Sequence, residues 1–164
     1  MKKIKMNPLI IIPAILFGQS TLAEQLPKNQ DMSSDMARAL VNTALKICHD
    51  ENKTGVAAVV DKCGNLVALQ RDDNVGPHNT LAAQKKAYRP LSTKSDTREL
   101  AKKAASNPET QNLNTVPQLL LLGGGVPVKL GNTVVGAIGV ARTGGPADDQ
   151  QHCAQEAITE VMKS

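Results

Sequence analysis

The chain has 164 residues, of which 41% are hydrophobic and 21% are charged, and its formal net charge is +4. This length and composition predict one globular domain and exclude a disordered or low-complexity chain. Phe17 and Tyr88 are the only aromatic residues and tryptophan is absent, which argues against a nucleic-acid surface built on stacked bases.

The first 23 residues have the pattern of a secretory signal peptide. Three lysines precede an apolar stretch over residues 6–17, and a run of small and polar residues then ends at Ala23. The apolar stretch is too short for a membrane span, which needs about 20 residues. We therefore predict a periplasmic or secreted protein that is cleaved after Ala23 and is not attached to a membrane afterwards. Cleavage removes three lysines and no acidic residue, so the net charge falls to +1 and gives little reason to expect nucleic acid as a partner.

The rest of the chain is predicted to form one domain over residues 35–164, after a flexible mature terminus at residues 24–34, which is polar and contains Pro27. Hydrophobic spacing and turn residues predict these elements in chain order: a helix over 31–51, strands over 56–60 and 66–71, helices over 78–88 and 96–106, strands over 119–122, 126–130 and 133–141, and a helix over 148–163.

Turn and breaker residues set the limits of several of these elements. Gly64 is available for a positive φ angle in the turn between the first two strands. Pro90 is predicted to end the second helix, because the residue before a proline is pushed out of the helical region. Residues 107–117 are polar and are predicted to be irregular. Paired hairpins with separately grouped helices predict an α+β fold with an antiparallel sheet.

The second predicted helix carries a candidate ligand site. If the helix begins near His78, the residues that share one face within about 40 degrees are His78, Ala82, Lys85 and Arg89. A neutral imidazole can bind a metal, and Lys85, Lys86 and Arg89 can pair with carboxylates. An iron porphyrin needs one axial donor, cations for two propionates and an apolar floor. The helix alone is explained more simply by a histidine at the helix start followed by solvated lysines.

Other chemistry is less well supported by the sequence. The glycine run at 123–125 follows a predicted strand, but Val-Pro-Val comes next instead of a helix with Gly-Lys-Ser, so it is not a phosphate-binding loop. The run serves either a close backbone approach by a ligand or neighbouring subunit, or a conformational bend alone. No serine lies in a Gly-x-Ser-x-Gly elbow, which argues against a hydrolase.

Several short strings occur in a characteristic order. They are VAAVVDKCGNLV at 56–67, GPHNT at 76–80, KKAY at 85–88, GGGVPVK at 123–129 and VVGAIGV at 134–140. In order and spacing they resemble the GlcG/HbpS-like haem-binding family, which also occurs as the C-terminal domain of PduO-type proteins. The resemblance runs from about residue 36 to residue 158.

The resemblance implies a profilin-like antiparallel sheet flanked by the N- and C-terminal helices, with a helical insertion between strands 2 and 3. It also implies self-association into tetramers or octamers and binding of haem or another tetrapyrrole. His78 matches the axial ligand of the haem iron, and Lys86 and Tyr88 lie beside it in the motif. Tyr88 is also a candidate for a second oxygen ligand. The chain departs from the family pattern at Arg89-Pro90, where the helix is expected to stop.

After export, the three cysteines would meet an oxidising compartment, which predicts one disulfide and one odd thiol, and their spacing does not choose among three pairings. The resemblance makes the first and last strands neighbours, which brings Cys48 and Cys153 to one corner of the sheet. Cys63 would lie about 17 Å away, for five strand residues at about 3.3 Å each, further than a disulfide allows. The resemblance therefore implies a Cys48–Cys153 disulfide and a free Cys63. If the thiols were reduced, they could instead bind zinc or copper with His49 and His152.

The sequence thus predicts an exported, oligomeric haem-binding protein linked to haem or iron handling or to oxidative stress. His78 is its axial ligand, and Lys85, Lys86 and Arg89 are the partners of the propionates. Binding is favoured over turnover, and a haem-degrading enzyme is the alternative, since bound iron itself supplies the reactivity. A further alternative is an accessory module that binds a small carboxylate or a partner protein without tetrapyrrole.

Overall fold

A computed structural model describes residues 30–94, 96–142 and 147–163. The predicted signal peptide and residues 24–29 of the predicted flexible terminus lie outside the described residues. No helix within the described ranges is long and apolar enough to cross a membrane. The elements in chain order are α1 (Ser34–Asp50), β1 (Gly55–Asp61), β2 (Leu66–Arg71), α2 (His78–Thr93), α3 (Thr97–Ser106), α4 (Pro108–Gln111), a 3-10 turn (Asn112–Thr115), β3 (Gly125–Leu130), β4 (Thr133–Arg142) and α5 (Ala147–Val161).

The four strands form one antiparallel sheet in the order β2-β1-β4-β3. The two central strands pair along their length, from Gly55 opposite Arg142 to Asp61 opposite Gly136. The first and last strands are therefore neighbours, and α2, α3 and α4 form the insertion between β2 and β3. The predicted α+β fold with flanking helices is confirmed.

The sheet is covered on both faces, so β1 is a continuous apolar run. Ala57 and Val59 pack into the core that the sheet forms with α1 and α5. Alternate residues Val56 and Ala58 face the opposite side, where they pack with Ala83 of α2. This alternation follows from the two-residue period of a strand, and it leaves the sheet between two helical layers.

The packed domain begins slightly before residue 35. Ser33 is the N-cap of α1, and its hydroxyl accepts a hydrogen bond from the Met36 amide. Met32 is buried in the core, and the Asp31 carboxylate accepts from the Lys62 amide at 3.1 Å. Residues 31–33 therefore pack against the rest of the described domain.

Helix α2 lies very close to the sheet because the two sheet residues beneath it are glycines. Gly125 of β3 and Gly139 of β4 are paired across the sheet. A Cβ atom on Gly139 would overlap the Ala83 carbonyl oxygen, and one on Gly125 would overlap the Lys86 carbonyl oxygen. Gly125 therefore serves neither role expected for the glycine run, and the absence of a side chain there is required by the close approach of the α2 backbone.

Three predicted features of the chain are wrong, and the first is that residues 107–117, which were expected to be irregular, contain α4 and the 3-10 turn. Helix α2 does not end before Pro90 but continues through it to Thr93. The helical carbonyl that Pro90 leaves without a donor is that of Lys86, which points at Gly125. Residues 119–122 do not form a strand, and the Leu119 and Leu122 amides donate to nearby carbonyls in turns.

Candidate functional site

A groove of about 390 Å³ lies between α2 and the hairpin of β1 and β2. Pro117 and Gln118, which follow the 3-10 turn, also line the groove. This volume is in the usual range for ligand sites, which runs from about 300 to 1,000 Å³. The residues that line it are Val60, Gly64, Leu66, Leu81, Gln84, Lys85, Tyr88, Pro117 and Gln118.

The walls of the groove are exposed apolar side chains. Leu66 is 49% exposed, Leu81 is 56% exposed and Tyr88 is 36% exposed. They are three of the five large hydrophobic residues that are exposed in the described part of the chain. Exposed apolar side chains that gather at one concave site mark a place for an apolar ligand or partner.

The β1–β2 turn forms the wall that faces Tyr88. The Asp61 carboxylate accepts hydrogen bonds from the Cys63 amide at 2.8 Å and from the Asn65 amide and side chain at 2.9 Å each. Burial raises the pKa of Asp61, but these hydrogen bonds outweigh it and the pKa lies below its usual value. Gly64 has a φ of +87°, and a Cβ atom there would lie 2.5 Å from Cε2 of the Tyr88 ring.

The structure does not bring the sequence-predicted ligand residues together at one place. His78 is the first residue of α2, is exposed, and lies outside the lining of the groove. Lys85 and Tyr88 line the groove, and Lys85 is the only cationic side chain among its described lining residues. Tyr88 lies ten positions after His78 in α2, which is a rise of about 15 Å along the helix axis.

Lys86 and Arg89 do not share this surface. The Arg89 side chain is fully buried and donates to the Leu120 carbonyl and, at 2.7 Å, to the Thr97 carbonyl. Lys86 is 3% exposed and donates to the Val140 carbonyl at 3.2 Å and to the Gln150 side chain. The helical wheel placed Arg89 beside Lys85, but α2 is covered there by the segment around Leu120. Both cations thus donate to oxygens inside the fold, although the buried Arg89 Nε atom has no hydrogen-bond partner among the described residues.

Burial lowers the pKa of both of these cations. It lowers the pKa of Lys86 to about 8, and among the described residues its hydrogen-bond partners are neutral oxygens. Burial also lowers the pKa of Arg89 to about 10, although the charge of Asp96 acts in the opposite direction. Lys86 therefore carries a buried charge at neutral pH that costs stability.

This cost predicts that the difference in unfolding free energy between the parent and Lys86→Met depends on pH. Because the native pKa lies below the unfolded value of 10.5, the unfolded chain binds more protons, and stability rises with pH from about 8 to 10.5. We expect the parent to gain about 2–3 kcal/mol relative to Lys86→Met between pH 7 and 10. Urea unfolding of both proteins in a Cys63→Ala background measures it without thiol exchange. Parallel pH curves would show that Lys86 keeps its ordinary pKa.

A disulfide joins the end of α1 to the start of α5. Cys48 and Cys153 are both buried and their Cα atoms lie 5.7 Å apart. This is the pairing that the resemblance implied, and Cys63 is free and exposed. Nearby, the His49 Nε2 atom lies 2.8 Å from Asp72 Oδ2. The described residues contain no group of three or more His, Cys, Asp or Glu side chains that could hold a metal ion.

Sequence reasoning missed much of the apolar lining of the groove. Leu81 carries the clearest signal, since it lies on the same helix face as Lys85 and Tyr88, away from buried Ala83 and Ala87. A leucine among polar residues on an otherwise exposed face marks a surface that buries something else. Leu66 gives no such signal, because its strand was already assigned to the core hairpin.

Comparisons with known proteins agree with this architecture. A family model described as "Haem degrading protein HbpS-like" matches residues 32–159. Protein GlcG of Escherichia coli K12 is 31% identical over 110 residues, which are 67% of this chain and 81% of that protein. An uncharacterized 15.0 kDa protein from the dhaT-dhaS intergenic region of Citrobacter freundii is 30% identical over 125 residues, 75% of this chain and 84% of its own.

Solved structures are similar over most of the domain. The crystal structure of HbpS superposes with a TM-score of 0.75 and 29% identity, and covers 85% of this chain and 95% of that one. Klebsiella pneumoniae protein ORFY has a TM-score of 0.77 and 25% identity, with coverages of 85% and 97%. A PduOC–haem complex shares the fold with a TM-score of 0.68 and 21% identity, with coverages of 79% and 94%.

Proposed function

The chain belongs to the HbpS-like family, and from this premise we propose that it binds haem, or a closely related tetrapyrrole, in the groove beside α2. The observation that carries the proposal is the concave group of exposed apolar side chains at Leu66, Leu81 and Tyr88. A tetrapyrrole is a large flat apolar ligand with anionic groups at one edge. The groove offers an apolar wall and one cation, Lys85, for such a ligand.

Of the two candidate iron ligands, Tyr88 lines the groove and His78 lies outside its lining, at the start of the same helix. We propose His78 as the axial ligand, because a neutral imidazole is a common donor to haem iron and this side chain is exposed. Tyr88 lies in the wall of the groove itself and is the competing donor. When bound, haem iron supplies redox chemistry, and the chain's own residues bind and orient the ligand.

We assign the anionic edge of the ligand to Lys85. Lys86 and Arg89, which the sequence also suggested for this role, already donate to oxygens of the fold. Lys85→Met should weaken haemin binding about two- to fivefold, the usual value of one exposed ion pair. Lys102→Met, on the exposed surface of α3, is the matched control and should leave binding unchanged.

A haemin titration of the mature chain, followed at the Soret band, tests the proposal. We expect a saturable shift in the parent, a loss of the shift or at least about tenfold weaker binding in His78→Ala, and parent-like binding in Tyr88→Phe. Saturation that survives in His78→Ala and is altered in Tyr88→Phe would move the iron ligand to Tyr88. An unsaturable, non-specific response in the parent would rule out the haem proposal.

The family model's description as haem-degrading favours turnover as a second candidate function. The test incubates catalytic amounts of protein with excess haemin, oxygen and ascorbate, and follows products by chromatography and mass spectrometry. More than one equivalent of a defined linear tetrapyrrole per protein would establish an enzyme. Bleaching at the rate of free haemin would leave a binding protein.

Export and self-association are further parts of the proposal. The signal-peptide pattern of residues 1–23 and a buried disulfide both support an oxidising compartment. The mass of the protein recovered from the periplasm or medium tests cleavage after Ala23. Light scattering on the eluted mature protein tests the tetramer or octamer that the family resemblance implied.

A further inference from the structure

We propose that the lack of a side chain at Gly64 sets the position of the Tyr88 ring and so keeps the groove open. This inference rests on the proposed function, because the groove is the proposed haem site. It makes Gly64 a positioning residue that acts through Tyr88 and does not itself bind the ligand.

The contact between the two residues leaves no room for a side chain. A Cβ atom on Gly64 would lie 2.5 Å from Cε2 and 2.8 Å from Cδ2 of Tyr88, both well inside van der Waals distance. The edge of the tyrosine ring therefore rests on the backbone of the turn. Both residues line the groove, and the ring is 36% exposed, so a displaced ring would move within or across the groove.

The turn has little freedom to yield instead. Asp61 holds it with side-chain bonds from the Cys63 amide and from Asn65, and the Gly64 amide donates to the Asp61 carbonyl at 3.0 Å. Asp61 is also the last residue of β1, and it pairs with Gly136 of β4. The exposed Tyr88 ring can rotate more easily than the hydrogen-bonded turn can move. A side chain at position 64 should therefore displace the ring and leave the hairpin in place.

The chain offers a matched control for the strain of the substitution. Gly64 and Gly131 both have positive φ angles, +87° and +59°, so alanine is strained at both positions. A Cβ atom on Gly131 would meet nothing within 4 Å. Gly131→Ala therefore adds backbone strain of the same kind as Gly64→Ala without displacing a ring.

Tyrosine fluorescence reports on the environment of this ring alone, because Tyr88 is the only tyrosine and the chain has no tryptophan. In the ligand-free mature protein, Gly64→Ala should change the intensity and iodide quenching of this emission. It should also weaken haemin binding about tenfold or more. Gly131→Ala should change neither signal, although both variants should lower the urea midpoint of unfolding.

A double-mutant cycle separates action through Tyr88 from any other effect. With Tyr88→Ala as the background, adding Gly64→Ala should leave haemin affinity unchanged, since no ring remains to be displaced. The same background also relieves the clash, so recovery of folding there would support the proposal if Gly64→Ala alone did not fold.

Parent-like emission and haemin affinity in folded Gly64→Ala would overturn the inference, as would an undiminished loss of affinity in the Tyr88→Ala background. If the parent itself does not bind haemin, the proposed function fails on its own. The quenching of Tyr88 in the ligand-free variants then still decides whether Gly64 positions the ring.

Discussion

Replacing Cys48 and Cys153 together with alanine should lower the free energy of unfolding by about 4–5 kcal/mol. The bond closes a sequence separation of 105 residues, and the stabilisation from constraining the unfolded chain grows with that length. Both side chains are buried, so their loss also removes packing between α1 and α5. Domains of this size are usually stable by about 5–15 kcal/mol, so the variant should be marginal.

Urea unfolding of the double variant against the parent measures this loss, and reduction of the parent with dithiothreitol should reproduce most of it. Cys63→Ala is the matched control, because it removes an exposed thiol that belongs to no disulfide. Its unfolding midpoint should equal that of the parent. A double variant as stable as Cys63→Ala would contradict the assigned role of the bond.

Gly139→Ala should be among the most damaging single methyl additions to the sheet, with a loss of about 3 kcal/mol or more in unfolding free energy. The added carbon would overlap the backbone of α2 at Ala83 and Ala87, and backbone atoms cannot rotate away as a flexible side chain does. The neighbouring residues on the same face of β4, Ala137 and Ala141, are also small and buried.

Denaturant unfolding checks this value, and Gly131→Ala again supplies the control in open space. Because α2 also carries Leu81, Lys85 and Tyr88, any surviving folded fraction should bind haemin more weakly than the parent. If Gly139→Ala unfolds at the same urea concentration as Gly131→Ala, α2 does not lie against β4 as described.

Local signals predicted most of the elements. Strand β2 occupies the predicted residues 66–71, and α3 begins one residue after its predicted start, because a turn or a capping aspartate marks each boundary. The family resemblance supplied what no local pattern contains, the neighbouring position of the first and last strands. The same rules failed where distant contacts outweighed a local preference.

Helix α2 illustrates that failure. A proline lowers helical stability at its own position, but the Arg89 side chain just before it is held by the Thr97 and Leu120 carbonyls. Those hydrogen bonds hold the residue before Pro90 in place. One of them occupies the carbonyl of Leu120, which lies in a turn and not in the predicted strand. The same bonds removed Arg89 from the predicted ligand site. Spacing along one helix does not reveal which face a later segment will cover.

The glycine pairing beneath α2 has a consequence for how relatives diverge. Gly125 and Gly139 belong to the strings that make this chain recognisable, and they contact a helix backbone rather than the groove. A larger side chain at either glycine would disturb the packing of α2 on the sheet whatever the ligand. Relatives could therefore keep these two glycines and the fold, while their side chains at positions 66, 81, 85 and 88 differ and the ligand changes. Transfer of ligand specificity between relatives should be judged at those four positions.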